Sequence, residues 1–200
     1  MKENVRQFTD KTVHEKKTGK TATKDIVCVG MFAAVLAVLA QISIPMPSGV
    51  PVTLQTFAVA LTGVVLSWKL GTASILVYIL LGAVGLPVFS GFKGGIQALA
   101  GYTGGFIWGF IALVFLCGIG MRMKNKIMSA ALGFVGLAIC HLLGVIQFMF
   151  LMKIGFTEAF LLVSAPYLLK DVVSVILADI MGMQIRARLK KSSSFSIIES

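Results

Sequence analysis

The chain has 200 residues, 57% of them hydrophobic and 13% charged, with a formal net charge of +10 and a mean hydropathy of +0.93. Soluble domains carry about 25% charged residues, so an ordinary soluble domain is excluded and an all-α integral membrane protein is implied. In a soluble chain the basic excess would point to nucleic acid; here it lies at the ends and in short loops, so it reads as membrane topology, with no nucleic-acid partner.

Residues 1–22 are polar, and the first 25 residues carry seven Lys/Arg and four Asp/Glu. No apolar core lies among them, so a cleavable signal peptide does not fit at the start. The composition predicts a mostly disordered, basic cytoplasmic tail. Six apolar runs follow, over residues 26–44, 52–68, 72–86, 104–121, 127–152 and 157–185. Spans of about 17–25 residues suit a bilayer, which makes the second and third runs short. The expected architecture is a six-helix transmembrane bundle over residues 23–190, closed by a polar tail over 191–200. One side of such a bundle collects the N-terminal tail, Lys69, Arg122, Lys124, Lys126, Arg186, Arg188, Lys190 and Lys191; the other has only Lys93 and Lys153. The positive-inside rule then puts both termini in the cytoplasm of a multi-pass protein of the cell membrane. Residues 45–51, 87–103 and 153–156 become outer loops.

Small residues mark the first run. Gly30, Ala33, Ala34 and Ala37 form Gly-x-x-x-Ala and Ala-x-x-x-Ala patterns on neighbouring faces, spacings that let helix backbones approach in lipid. In the first outer connection, Pro45, Pro47 and Pro51 impose an extended path. Thr53 and Gln55 then carry a hydroxyl and an amide into the second run. Gln55 needs a partner inside a membrane, either another helix or a ligand.

Residues 84–110 are the stretch around which the chain is organised. They are too glycine-rich for a helix interior, where each Gly costs about 1 kcal/mol against Ala, yet Phe89, Phe92, Ile96, Leu99 and Phe106 lie among the glycines. Irregular backbone at membrane depth is tolerated where it is buried in protein or lines a wet cavity. The stretch is expected to be a re-entrant loop closing over a small polar ligand, with a plain outer loop as the alternative.

The sixth run contains the strongest charges. Tyr167, Lys170, Asp171 and Ser174 share a helical face by their three- and four-residue spacing, near the outer end marked by Pro166. Ionisable groups in a span are costly and usually face a cavity or the bundle interior, so ligand binding and a packing ion pair are both open. Asp179, deeper, reads as structural. His141 is a lone histidine and reads as a packing residue. Cys28, Cys117 and Cys140 fall in apolar runs as small core residues, with no metal-ligand spacing. No P-loop, His-Glu-x-x-His or Gly-x-Ser-x-Gly occurs, so no catalytic constellation is read.

Taken together, Gly-Leu-Pro-Val-Phe-Ser-Gly (85–91), Gly94-Gly95 and Gly-Tyr-Thr-Gly-Gly-Phe-Ile-Trp-Gly-Phe (101–110) resemble the signature of the BioY family, the biotin-binding S components of energy-coupling-factor (ECF) transporters. The resemblance runs from about residue 26 to 189 and includes Pro-Val-Thr-Leu-Gln (51–55) and Asp171. It implies a high-affinity biotin site at the outer end of a six-helix bundle, covered by the loops between helices one and two and between three and four. It also implies docking onto a T subunit carrying two ATPases, through a small-residue motif matched here by Gly30, Ala33, Ala34 and Ala37. Biotin is then the transported substrate, and no cofactor or metal is implied.

The sequence departs from the family pattern at Tyr102, where a proline is usual, and at Phe106, where a tyrosine is usual. Ser174 stands where a lysine commonly follows the aspartate. Lys170 and Lys93 are additional charges. The ureido group of biotin has two N–H donors and a carbonyl acceptor, which suits Asp171; its carboxylate suits Lys93 or Lys170; its ring and chain suit Phe92, Tyr102 and Tyr167. Gln55, Gly94, Gly95 and Thr103 complete the expected ligand-binding set. The alternatives are a carrier of a related vitamin, a solitary carrier without an ATPase partner, and a membrane-embedded enzyme using Asp171 with His141.

Overall fold

A computed structural model describes residues 2–123 and 125–191; Lys124 of the basic cluster and residues 192–200 of the expected polar tail lie outside them. Helix α1 (Lys2–Gln41) is continuous. The backbone over the expected disordered tail is therefore helical from Lys2; before residue 22 there is no proline and a single glycine, Gly19, so nothing there breaks a helix.

Strands β1 (Ser43–Ile44) and β2 (Val52–Thr53) pair antiparallel, Ser43 opposite Thr53 and Ile44 opposite Val52. The proline-rich connection is thus a short hairpin, and Pro45, Pro47 and Pro51, which lack an N–H, lie outside the paired positions.

Helix α2 (Gln55–Ala83) is not one rod. Ser67 leaves helical geometry with φ 67° and ψ 176°, and the chain folds back there. Gln55 Nε2 donates to the Tyr78 hydroxyl at 2.9 Å, whereas an unbroken helix would separate residues this far apart by about 35 Å. The second and third apolar runs are the two arms of this element, and their turn falls slightly ahead of the Lys69–Gly71 boundary expected from sequence.

A short α3 (Ile96–Ala100) lies within the glycine-rich stretch, followed by α4 (Gly104–Gly120) and α5 (Lys126–Met152). The sixth run is broken: α6 (Phe156–Val163) and α7 (Ala165–Lys191) meet at 53°. Pro166 explains the break, which falls at Ser164, because it offers no N–H to the last turn of α6 and suits the first turn of a new helix.

Among the described residues three helices are long and apolar enough to cross a membrane, over Ala22–Gln41, Gln55–Ala83 and Lys126–Met152, and a fourth span results if α6 and α7 count as one. Val38, Leu80, Phe150 and Leu169 are all more than 60% exposed. Such apolar surface is a liability in water and suits contact with lipid.

Packing among α1, α2, α4, α5 and α7 forms the main core, around Leu36, Val59, Ile75, Tyr78, Leu113 and Val114. Close approach, more than hydrophobicity, holds helices together in lipid, and the tightest seam joins α4 to α5. A Cβ added at Gly109 would lie 2.6 Å from Cys140 Cα, and one at Gly105 would lie 2.8 Å from Gly144 Cα. Gly105-x-x-x-Gly109 against Cys140-x-x-x-Gly144 is a small-residue motif that the sequence reading did not single out.

A second cluster, of Val50, Val145, Phe148, Val163 and Tyr167, seats the hairpin on α5, α6 and the start of α7. Together the two clusters leave a space between the first arm of α2, α4 and α7, roofed by the hairpin and by the loop after α2.

Candidate ligand-binding chamber

The roof is irregular backbone, so its polar groups must be satisfied from elsewhere. Helix-borne amides do this. Gln41, at the C-terminal end of α1, donates to Val88 O at 3.3 Å and Phe89 O at 3.2 Å, and its Oε1 accepts from Phe92 N at 2.9 Å. The Tyr78 hydroxyl donates to Val88 O at 3.1 Å. Gln147 of α5 donates to Leu99 O at 2.9 Å and Gly101 O at 2.8 Å. Phe89 and Lys93 exchange two backbone hydrogen bonds, of 2.9 and 3.2 Å. The stretch is therefore a pinned structure, and Gln41 and Gln147 are supports that sequence reasoning missed; intramembrane amides were the available signal.

Beneath the roof lies a chamber partly open to the exterior. Its apolar wall includes Phe89 from the loop, Phe106, Ile107 and Phe110 from α4, and Val163 from α6; Gln55, Thr56, Ser90, Tyr167, Lys170 and Asp171 supply polar groups. A mostly apolar cavity with a few placed polar groups is the usual form of a small-molecule site. A second, more open cavity adjoins it, lined by Gly49, Lys93, Gly94, Gln97, Tyr102 and Thr103. Thr103 lines both, so the two lie side by side, and the more open one is called the vestibule below.

Asp171 is 5% exposed and sits at the centre of a side-chain network. Its Oδ2 lies 3.2 Å from His141 Nε2, and His141 Nδ1 lies 2.9 Å from Ser164 Oγ at the α6–α7 bend. Neutral histidine with its proton on Nε2, accepting from Ser164 at Nδ1, satisfies all three groups. Lys170 Nζ forms an ion pair with Asp171 Oδ1. The same ammonium also donates to Thr53 O at 2.7 Å. The carboxylate lines the chamber, and each of its oxygens has a second lone pair to offer there.

His141 is thus more than the packing residue expected from sequence: it orients the aspartate. His141 and Asp171 thus stand side by side in the bundle. The order Ser164–His141–Asp171 superficially matches a hydrolase triad, but Ser164 is fully buried and does not line the chamber. The Ser164 hydroxyl is therefore not presented to a molecule in the chamber.

The other expected site residues divide between the two cavities. Gln55, Tyr167, Lys170 and Asp171 line the chamber; Lys93, Gly94 and Tyr102 line the vestibule; Thr103 lines both. Phe92 is 72% exposed and lines neither. Its positive φ of 55° turns it away while its N–H bonds Gln41. Gly95 serves the backbone instead, with φ 90° at the start of α3 and its N–H on Gly82 O at 2.7 Å. The Gln55 amide is used internally, accepting from Thr53 Oγ1 at 3.0 Å and donating to Tyr78. The Tyr167 hydroxyl donates to Val50 O at 2.5 Å. Chamber aromatics are therefore Phe89, Phe106 and Phe110 in place of Phe92 and Tyr102; the four-residue spacing of Phe106 and Phe110 was the signal.

On α1 the small residues also divide. Gly30 and Ala34 are exposed, and a Cβ at Gly30 would meet nothing within 4 Å. Ala33 is 2% exposed and lies in the main core, and Ala37 is partly buried against it. Ala33 therefore packs inside the bundle, unlike the outward docking position expected for it.

The sequence profile of the BioY family matches residues 9–191. The "Probable biotin transporter BioY" of Pyrococcus horikoshii is 40% identical over 164 residues, covering 82% of this chain and 96% of that protein. The "Biotin transporter BioY" of Thermotoga maritima is 37% identical over the same proportions, 82% and 96%. Among solved structures, the crystal structure of the S-component for biotin from an ECF-type ABC transporter has a similar fold. Its TM-score is 0.75 at 23% identity, covering 84% of this chain and 93% of that one.

Proposed function

The chain belongs to the BioY family, and from that premise we propose that it is the biotin-binding S subunit of an ATP-driven ECF uptake transporter. It is read as a transport protein and not as an enzyme. The observation that carries the ligand assignment is Asp171: a buried carboxylate, held by His141 at Oδ2 and by Lys170 at Oδ1, whose oxygens each keep a lone pair in the wall of a mostly apolar chamber. The N–H groups of a cyclic urea complement such an oxygen. Phe89, Phe106 and Phe110 suit the fused rings and aliphatic chain, and Lys93 in the vestibule suits the carboxylate at the chain's far end. Lys170 is committed to Thr53 O and Asp171, which leaves Lys93 the better placed of the two lysines.

Six spans follow if the two arms of α2 are counted separately and α6–α7 as one. A cytoplasmic location for both termini is supported by the basic residues at one end. Lys69 Nζ and Arg122 Cζ lie 5.6 and 5.7 Å from the Trp68 ring, and Arg186 donates to Val64 O at 3.1 Å. The positive-inside rule assigns that end to the cytoplasm and the chamber to the outer side. The residues before Ala22 then extend α1 into the cytoplasm. Gly30 and Ala34 present a bare face of α1 for close packing by a T subunit that carries two ATPases.

Mass spectrometry of small molecules retained by the purified protein, followed by isothermal titration with biotin, tests the ligand. Stoichiometric biotin binding is expected, and binding of another vitamin with no response to biotin refutes the assignment. Uptake in a host lacking the energising module separates an S subunit from a solitary carrier.

A further inference from the structure

Most polar side chains around the chamber are spent inside the protein. Thr53 bonds Gln55, Gln55 bonds Tyr78, Tyr167 bonds Val50 O and Lys170 bonds Thr53 O. Among the described residues, Ser90 Oγ is a buried side-chain atom of the chamber wall with no hydrogen-bond partner, while Asp171 Oδ1 is paired with Lys170 Nζ and keeps a second lone pair. Ser90 is only 7% exposed. A buried hydroxyl without a partner is costly, and a sequence does not usually retain one without a use for it.

Nor is Ser90 loosely placed. Its neighbour Phe89 is held by two backbone hydrogen bonds to Lys93 and one from Gln41, and the Phe89 ring stands edge-on to Tyr78 at 5.4 Å and 82°. Two residues on, Phe92 N donates to Gln41. The hydroxyl is therefore carried at a fixed point of the wall, on a different element from Asp171.

We propose that Ser90 is a ligand-recognition residue whose hydroxyl donates to the carbonyl oxygen of the bound ligand's urea. The Asp171 carboxylate only accepts and Ser90 Oγ can donate, so the two groups together ask for a ligand with N–H donors and a carbonyl acceptor on one rigid frame. A cyclic urea has that pattern. The inference rests on the biotin reading and deepens it: the chamber selects the urea head, whereas the carboxylate faces the vestibule.

Titration of wild type and Ser90→Ala with biotin and with 2'-thiobiotin, whose urea oxygen is replaced by the weaker acceptor sulfur, tests the assignment. Ser90→Ala is expected to weaken biotin about tenfold, one hydrogen bond's worth, and 2'-thiobiotin by less than about threefold. Ser90→Cys, which keeps the volume and loses donor strength, should follow Ala. The melting temperature of the ligand-free variant should not fall, because no bond within the protein is lost; a structural role predicts the opposite. Biotin affinity unchanged in Ser90→Ala, or equal weakening of both ligands with a lowered melting temperature, overturns the Ser90 assignment alone. Absence of biotin binding by wild type overturns the biotin reading and this inference together.

Discussion

Replacing Asp171 by asparagine keeps the side-chain volume and removes the charge. At Oδ2 the change is mild, because an amide oxygen still accepts from His141 Nε2, now 3.2 Å away. At the other position an NH2 donor replaces Oδ1, the oxygen paired with Lys170 Nζ. A urea N–H would then face a donor in place of an acceptor. Hydrogen bonds to charged groups contribute about 1.5–3 kcal/mol, and each 1.4 kcal/mol is about tenfold in affinity, so biotin binding should weaken by about one to two decades. The fold should survive: Lys170 retains Thr53 O as a partner at 2.7 Å and its side chain is 29% exposed, so no cation is stranded in a dry interior. Isothermal titration alongside a thermal melt in detergent reads both quantities. Unchanged affinity in a folded variant refutes the ligand role of Asp171. Lost binding with a collapsed melt would make the residue a structural one.

Three further predictions follow from the packing. Ala34→Trp should abolish energised uptake while leaving biotin binding near wild type, whereas Ala33→Trp should fail to fold, because Ala33 is 2% exposed in the core; parallel uptake and binding assays check this, and normal uptake by Ala34→Trp removes that face from docking. Gly109→Val should destabilise by at least the roughly 1–3 kcal/mol of an overpacked site, since its Cβ would lie 2.6 Å from backbone Cys140 Cα, while Gly30→Ala, with open space around it, should leave the melting temperature unchanged or raised. His141→Phe should keep the ring contact with Phe106, 5.8 Å between centroids, but free Asp171 to rotate, weakening biotin about tenfold; His141→Gln, which can still donate, should recover part of the loss, and equal behaviour of the two variants in titration refutes the orienting role.

Composition alone determined that the chain is helical and belongs in a membrane, because a bilayer admits few architectures and each needs long apolar runs. The ends of α4 and α5 were legible for the same local reason: glycines and basic residues stop an apolar period sharply. The sequence also placed Lys170, Asp171 and Tyr167 together, since helical spacing dictates a shared face. The family signature located the roof, though not the orientation of its side chains.

Tertiary structure decided the rest, wherever the outcome depends on partners distant in sequence. The break between the second and third runs was legible near Lys69–Gly71, but its place at Ser67 and the packing of the two arms, with Gln55 on Tyr78, were not. Phe89 faces the chamber and Phe92 does not, because in irregular backbone no period assigns sides, and Gln41 and Lys93 set the turn between them. His141 looked like a packing residue until α5 and the bent α6–α7 pair brought it between Ser164 and Asp171. Ser90 acquired meaning only when its neighbours' hydrogen bonds were all accounted for and its own was not. Local chemistry is written in the order of residues, whereas the satisfaction of buried polar groups is a property of the whole packed molecule.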